Sequence, residues 1–118
     1  MALPLRITFR DMSPSESVEA YVRRRAERLE KLSGRIADCH VTIEMPHRHH
    51  LHGRPFHVSV ELRVPGGEIH SNHAREDALA SLDAYAAIDR AFERAAQQLQ
   101  RHLRIRRGDV KSHRQTSW

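Results

Sequence analysis

The sequence is poor in cysteine, lysine and long apolar runs, and two of these shortages exclude whole classes of protein. Among 118 residues there is one cysteine, Cys39, which excludes a disulfide framework and a cysteine zinc site. No apolar run is long enough to cross a membrane, and residues 1–10 lack the apolar core of a signal peptide. We therefore expect a cytoplasmic protein whose core forms without disulfides or a structural metal.

Motifs for catalysis are also missing. The chain contains no glycine-rich phosphate loop, no nucleophile elbow and no HExxH sequence, and its carboxylates form no evident acid–base pair. Cys39 occupies an inward position of a predicted strand, which favours a small core residue over a nucleophile. We expect neither an enzyme nor a site for a cofactor or a small-molecule substrate.

The scarcity of lysine is matched by abundant arginine. Of the 20 basic residues, 18 are arginine, against 15 acidic residues. Residues 1–83 hold 12 basic and 12 acidic residues, whereas residues 84–118 hold eight basic and three acidic ones, so the net charge of +5 arises near the end of the chain. Arginine binds phosphate groups through two parallel hydrogen bonds, which makes a phosphate-bearing partner the leading hypothesis.

Alternation of apolar and polar residues predicts three strands and a short fourth. A strand with one buried face places every second side chain in the core. The alternation covers residues 3–10, 39–45 and 56–64. Pro46 cannot donate to a ladder and closes the second of these strands. A Pro-Gly-Gly turn at residues 65–67 leads into the fourth, around residues 68–70.

Two segments have the spacing of amphipathic helices. The first begins with Ser13 as N-cap and Glu16 completing a capping box, and it ends at Ser33–Gly34. The second runs from Asp83 to Gly108. Its apolar side carries Tyr85, Ile88, Phe92, Ala95, Ala96, Leu99 and Leu103. Residues 72–82 fit either a loop or a backward extension of the second helix, and we favour the loop.

The order β-α-β-β-β-α predicts the fold class. Every strand has one apolar face, which requires a covered side and permits an open one. We predict an α+β two-layer sandwich in which two helices cover one face of a four-stranded, mainly antiparallel sheet. Residues 1–111 form this single domain, and residues 112–118 are expected to be a flexible tail.

The second predicted helix carries a basic stripe on the side roughly opposite its apolar residues. At about 100° per residue, this stripe contains Arg90, Arg94, Gln97, Arg101 and Arg104. Guanidinium groups in a row along a rigid helix can follow a phosphate backbone and release its counterions. The alternative is a solvated polar face, although neighbouring like charges destabilise an isolated helix by about 0.2–0.5 kcal/mol per pair.

The first predicted helix separates its charges into two flanks. Its basic flank consists of Arg24, Arg28 and Lys31, with Arg25 at the edge of the apolar side, and four glutamates fall on the other flank. If the helices lie side by side, the basic flank and the basic stripe could form one surface. The charges could equally pair along a solvated helix, and the pattern does not say which flank faces the second helix.

A histidine-rich segment supports a different function. Six residues of a predicted hairpin loop include His47, His49, His50 and His52. Imidazoles at such spacing can bind Zn²⁺, Ni²⁺ or Cu²⁺, although no carboxylate or thiolate lies among them. A metal-binding protein is therefore an alternative hypothesis, but we favour a polar loop whose imidazoles contact phosphate or a base.

The open face of the predicted sheet supports a third possibility. Its polar side chains include Thr8, Thr42, Ser59, Glu61 and Arg63. Such a face can contact a partner protein, so a protein-interaction module also remains open.

Several segments together resemble one known family. They are Val41-Thr-Ile-Glu-Met-Pro-His-Arg-His-His, the strand and turn at residues 56–69, Asp83-Ala-Tyr-Ala-Ala-Ile-Asp-Arg-Ala-Phe, and Arg106-Arg-Gly-Asp-Val-Lys. The most specific is the D-x-Y-x-A-I-D start of the second helix with Gln98-Leu-Gln-Arg-His downstream. From about Ile7 to Lys111 the chain resembles the ribosome hibernation promoting factor and ribosome-associated inhibitor family, also called sigma-54 modulation proteins.

The resemblance implies a fold, a partner and a set of contact residues. The fold would be like a double-stranded-RNA-binding domain, seated on the small ribosomal subunit and its ribosomal RNA where messenger and transfer RNA bind. The family's RNA-contacting positions map onto Arg25, Arg28, Arg94 and Arg101, whereas Gln97 stands where several relatives carry arginine. The likeness is to the short form of the family, and we expect a monomer when the protein is free.

Overall fold

The computed structural model describes residues 3–33, 35–45, 56–72 and 83–107. Their elements follow one another as β1 (Leu5–Arg10), α1 (Glu16–Ser33), β2 (Asp38–Glu44), β3 (His57–Val64), β4 (Gly67–Asn72) and α2 (Ala84–Arg107). The predicted order and the α+β class are thereby confirmed. The histidine-rich loop, most of residues 72–82 and the expected tail lie outside the described residues.

The four strands form one mixed sheet in the order β1-β2-β3-β4. The β1 and β2 strands are parallel, because α1 carries the chain back to the starting edge between them. The remaining pairs are antiparallel, with Val41 opposite Val60 and Leu62 opposite Ile69. Since side chains alternate along each strand, this register collects the apolar residues of all four strands on one face.

Both helices lie on that apolar face and form one core with it. The buried residues include Val22 of α1, Val41 and Val60 of the central strands, and Ile88 and Leu99 of α2, all fully or almost fully buried. Burying a side chain of this kind stabilises a fold by about 1.5–3 kcal/mol. The opposite face of the sheet carries the polar side chains of each strand, as the alternation predicts.

The N-terminus of α1 differs from the expected one by two residues. The backbone N–H of Val18 donates to Ser15 Oγ at 3.3 Å, and the N–H of Glu19 donates to Ser15 O at 2.9 Å. Ser15 is therefore the N-cap, and the assignment of Ser13 was wrong. A serine occupies both positions, so the residue type alone did not distinguish them.

The start of α2 agrees with the prediction, but one residue of its apolar side does not. Asp83 caps the helix, since the N–H of Tyr85 donates to its Oδ1 at 2.9 Å. Tyr85 itself is 38% exposed, so the prediction that it faces the core was wrong. Its ring packs against α1 instead, while Ala87 and Ala91 occupy the buried positions close to the sheet.

The turn between β3 and β4 fixes the far end of α2. Pro65 and Gly66 form this two-residue turn, and Gly66 has a φ of 86°, a conformation that favours glycine. His102 Nε2 donates to the carbonyl oxygen of Pro65 at 2.8 Å. Earlier in α2, the hydroxyl of the buried Ser71 donates to the carbonyl oxygen of Ala91 at 2.5 Å. These bonds hold α2 over the β3–β4 hairpin.

Candidate nucleic-acid interface

The basic stripe lies along the solvent side of α2. Its members Arg90, Gln97, Arg101 and Arg104 are exposed, and Arg94 is half-buried. From Arg90 to Arg104 the helix rises about 21 Å at about 1.5 Å per residue. The stripe is therefore a long, straight row of donors on a rigid support, as the helical spacing predicts.

The basic flank of α1 is the one that faces α2. Contacts between the two helices begin at Ser17, Tyr21 and Arg25, which lie one turn apart on α1. Arg24, Arg28 and Lys31 are exposed on this side. Glu19 and Glu30 project from the other side of the helix, about 180° from Tyr21 at about 100° per residue. The question that the sequence left open, which flank adjoins α2, is thereby answered.

A cluster of polar and aromatic side chains joins the two helices. Tyr21 donates its hydroxyl hydrogen to Asp89 Oδ1 at 2.6 Å. The rings of Tyr21 and Tyr85 meet edge to face with centroids 5.0 Å apart, and Tyr85 donates to Ser17 Oγ at 3.1 Å. We call Ser17, Tyr21, Arg25, Tyr85 and Asp89 the interhelical cluster. Of these residues, only Arg25 was predicted from the sequence as a site residue. The four-residue spacing of the cluster along each helix was a signal that could have identified the other four.

Arg25 belongs to this cluster rather than to the exposed part of the flank. Its side chain is 17% exposed. The Nε atom lies 3.5 Å from Asp89 Oδ1, and Nη2 donates to the carbonyl oxygen of Asp89 at 3.5 Å. The guanidinium also lies over the ring of Phe92, 5.8 Å from its centroid, and Nε is buried without a hydrogen bond. Arg25 is thus directed into the junction between the helices.

The carboxylate of Asp89 changes the acidity of its neighbour. The hydrogen bond from Tyr21 to Asp89 raises the pKa of the tyrosine above its usual value, and burial and the negative charge of Asp89 raise it further. Each of these effects favours the neutral phenol. The hydrogen bond between the helices is therefore retained at neutral pH.

Acidic residues separate the two basic surfaces. The basic stripe lies roughly 120° around α2 from the side that carries Tyr85 and Asp89. Asp89 contacts α1 directly, and Glu93 follows one turn later and is exposed. The basic flank and the basic stripe therefore lie on either side of the helix junction, with the acid nearest α1 paired to Arg25.

The alternative site on the open sheet face is a row of paired polar groups. Thr8, Thr42 and Ser59 are neighbours in register across β1, β2 and β3. Beside them, Glu61 lies 3.9 Å from His40 and 3.8 Å from His70. In the described ranges no group of three or more histidine, cysteine or acidic residues is arranged to hold a metal ion, and the histidine-rich loop falls outside those ranges.

Cys39 packs in the core as predicted. It is fully buried on β2, and burial raises the pKa of its thiol from 9.0 to about 12. A thiol that keeps its proton is a poor nucleophile.

Comparison with known proteins assigns the chain to a family. Residues 5–107 match the family described as sigma 54 modulation protein / S30EA ribosomal protein. The chain belongs to this family. The match spans every described helix and strand, which confirms the resemblance inferred from the D-x-Y-x-A-I-D segment and its partners.

Three individual proteins resemble the chain. The ribosome hibernation promoting factor of Salmonella typhimurium strain LT2 is 29% identical over 100 residues, covering 85% of this chain and 93% of that protein. A ribosomal subunit interface protein from Coxiella burnetii superposes with a TM-score of 0.69 at 15% identity, covering 85% of this chain and 97% of that one. The N-terminal domain of Thermus thermophilus Protein Y gives 0.62 at 20% identity, with coverages of 86% and 99%. The two structures confirm the fold.

The two helices of this family member differ from membrane-spanning segments. Within the part of the chain that the structure describes, neither helix is long and apolar enough to cross a membrane.

Proposed function

We propose that this protein is a cytoplasmic, non-enzymatic hibernation factor that binds the small ribosomal subunit and blocks the channel for messenger and transfer RNA. It belongs to a family of ribosome-associated modulation factors, and the relative from Salmonella typhimurium is named a ribosome hibernation promoting factor. The observation that carries the proposal to this chain is the pair of basic helix surfaces on one side of the molecule, opposite the sheet.

The chemistry of these surfaces suits ribosomal RNA. RNA helices are recognised mainly by shape and by contacts to phosphates and 2′-hydroxyl groups. The exposed arginines of the basic stripe can donate to several phosphates along one strand. Gln97 keeps hydrogen-bonding capacity in the middle of the stripe without adding charge. Inhibition would follow from occupancy alone, which requires neither a nucleophile nor a cofactor.

The test is co-sedimentation with purified small subunits in sucrose gradients. We expect the double variant Arg94→Glu and Arg101→Glu to lose association, because it replaces two cations of the stripe with anions. The matched control is Arg10→Glu with Arg63→Glu, which makes the same charge change on exposed residues of the open sheet face. This control should sediment with the subunits like the parent protein.

Circular dichroism and thermal melting of both variants check that the fold is intact. If the stripe variant still co-sediments at moderate salt, the stripe is not the binding surface. If instead the control variant alone loses association, the open sheet face contacts the ribosome and the orientation proposed here is wrong.

A further inference from the structure

An acidic residue between two basic surfaces repels phosphate. Its presence there therefore points to a role other than phosphate binding. Asp89 lies between the basic flank and the basic stripe, and its carboxylate is 38% exposed. We infer that Asp89, together with Tyr21 and Arg25, positions the two helices for RNA binding, and that Arg25 acts through this cluster rather than by contacting phosphate. This inference rests on the proposed function and assigns roles within the same surface.

The contacts of Asp89 are suited to fixing one helix against the other. Its side chain receives the hydroxyl of Tyr21 at 2.6 Å and lies 3.5 Å from Arg25 Nε, one turn further along α1. Its backbone carbonyl receives Arg25 Nη2. One residue of α2 is thus held at two successive turns of α1, which restrains both sliding and rotation between the helices.

The charge of Arg25 is already used within the protein. The side chain is 17% exposed, and its guanidinium pairs with Asp89 and lies over Phe92. A phosphate could be reached only by the small exposed part of this side chain, because the rest lies against the aromatic ring and the carboxylate. Arg24, by contrast, lies over the ring of Tyr21 at 5.7 Å and is exposed. The cluster therefore orders a neighbouring arginine that can reach solvent.

Removing the negative charge of Asp89 tests the inference, because the two explanations of this residue predict opposite changes in affinity for small subunits. If Asp89 acts only by its charge, Asp89→Asn should bind small subunits more tightly, because a repulsive anion is gone. If Asp89 positions the helices, the same variant should bind about three- to tenfold more weakly. The matched control is Glu93→Gln, which removes an exposed acid one turn away and should bind as tightly as the parent protein or more tightly.

Arg25 is tested by conservative exchange and by salt dependence. A lysine at position 25 keeps the positive charge. It lacks the planar group that lies over Phe92 and reaches two oxygens of Asp89. We expect Arg25→Lys to lose several-fold in affinity while Arg28→Lys loses little. A plot of log affinity against log salt concentration has a negative slope. In Arg28→Gln this slope should become shallower by about 0.7–0.9, as for one lost phosphate contact. In Arg25→Gln it should remain unchanged.

Melting curves identify variants that fail to fold, and Tyr21→Phe serves as a milder change to the same cluster. Parent-like or tighter binding by both Asp89→Asn and Tyr21→Phe overturns the inference while the proposed function stands. A salt slope that falls equally in Arg25→Gln and Arg28→Gln makes Arg25 a phosphate contact and also overturns it. If the parent protein itself does not co-sediment with small subunits, the proposed function fails, and the inference that rests on it fails as well.

Discussion

At the scale of single residues, Cys39 shows how burial controls chemistry. Its thiol is fully buried, and its pKa is raised to about 12. The folded state therefore holds this proton more tightly than the unfolded state does. This proton contributes to the free energy of unfolding in full below about pH 9, the ordinary pKa of the thiol. The contribution declines as pH rises towards 12.

We expect Cys39 in the native protein to resist alkylation by iodoacetamide at pH 8. The thiol is protonated and inaccessible, so labelling requires the chain to open. Mass spectrometry should find slow labelling in buffer and rapid labelling in concentrated urea, with a Cys39→Ala variant as the blank. Rapid labelling of the native protein would show that β2 opens readily or that the thiol is exposed.

Residues of the interhelical cluster show where inference from sequence reaches its limit. Helical periodicity identified the exposed arginines of α2, because it depends only on the helix's own geometry. The same periodicity placed Arg25 at the edge of the apolar side but did not identify Asp89 as its partner. That pairing depends on the distance and rotation between two helices, which are set by the sheet beneath them.

At the scale of elements, the strands were more predictable than the ends of the helices. Each strand turns one apolar face to the core, fully buried in β2 and β3 and partly buried in β1, so a shift of one residue would expose its apolar set. The N-terminus of α1 is less constrained, because Ser13 and Ser15 can both accept a backbone hydrogen bond. The burial of Val18 and Val22 fixes the rotation of α1 about its axis but not the residue at which the helix begins.

The two serines give a direct test of the N-cap. Ser15→Ala should lower the free energy of unfolding by about 1 kcal/mol, since it removes the acceptor for the N–H of Val18. For a domain of this size the melting temperature should fall by about 4 °C. Ser13→Ala, two residues earlier and exposed, should change it little. A larger fall in melting temperature for Ser13→Ala than for Ser15→Ala would show that Ser13 is the N-cap.

At the scale of the whole molecule, the distribution of charge follows the two layers of the fold. The net charge is +5. The helical layer carries the basic flank of α1 and the basic stripe of α2. On the sheet layer, Arg6 pairs with Asp38 at 2.9 Å. The sequence order already indicated a basic end of the chain. The side-by-side placement of α1 and α2 depends on the strand order, which brings distant segments together.

This asymmetry predicts strongly salt-dependent association with ribosomes. About five phosphate contacts give a slope of about −3.5 to −4.5, so affinity should fall roughly 100-fold or more between 50 and 200 mM monovalent salt. Sedimentation at constant magnesium measures this effect, and the melting temperature over the same range should change little. Because the open-face variant Arg10→Glu with Arg63→Glu alters net charge but not the helical layer, it should keep the slope of the parent protein. A slope near zero in the parent protein would mean that shape or apolar contact, rather than the arginines of the two helices, dominates binding.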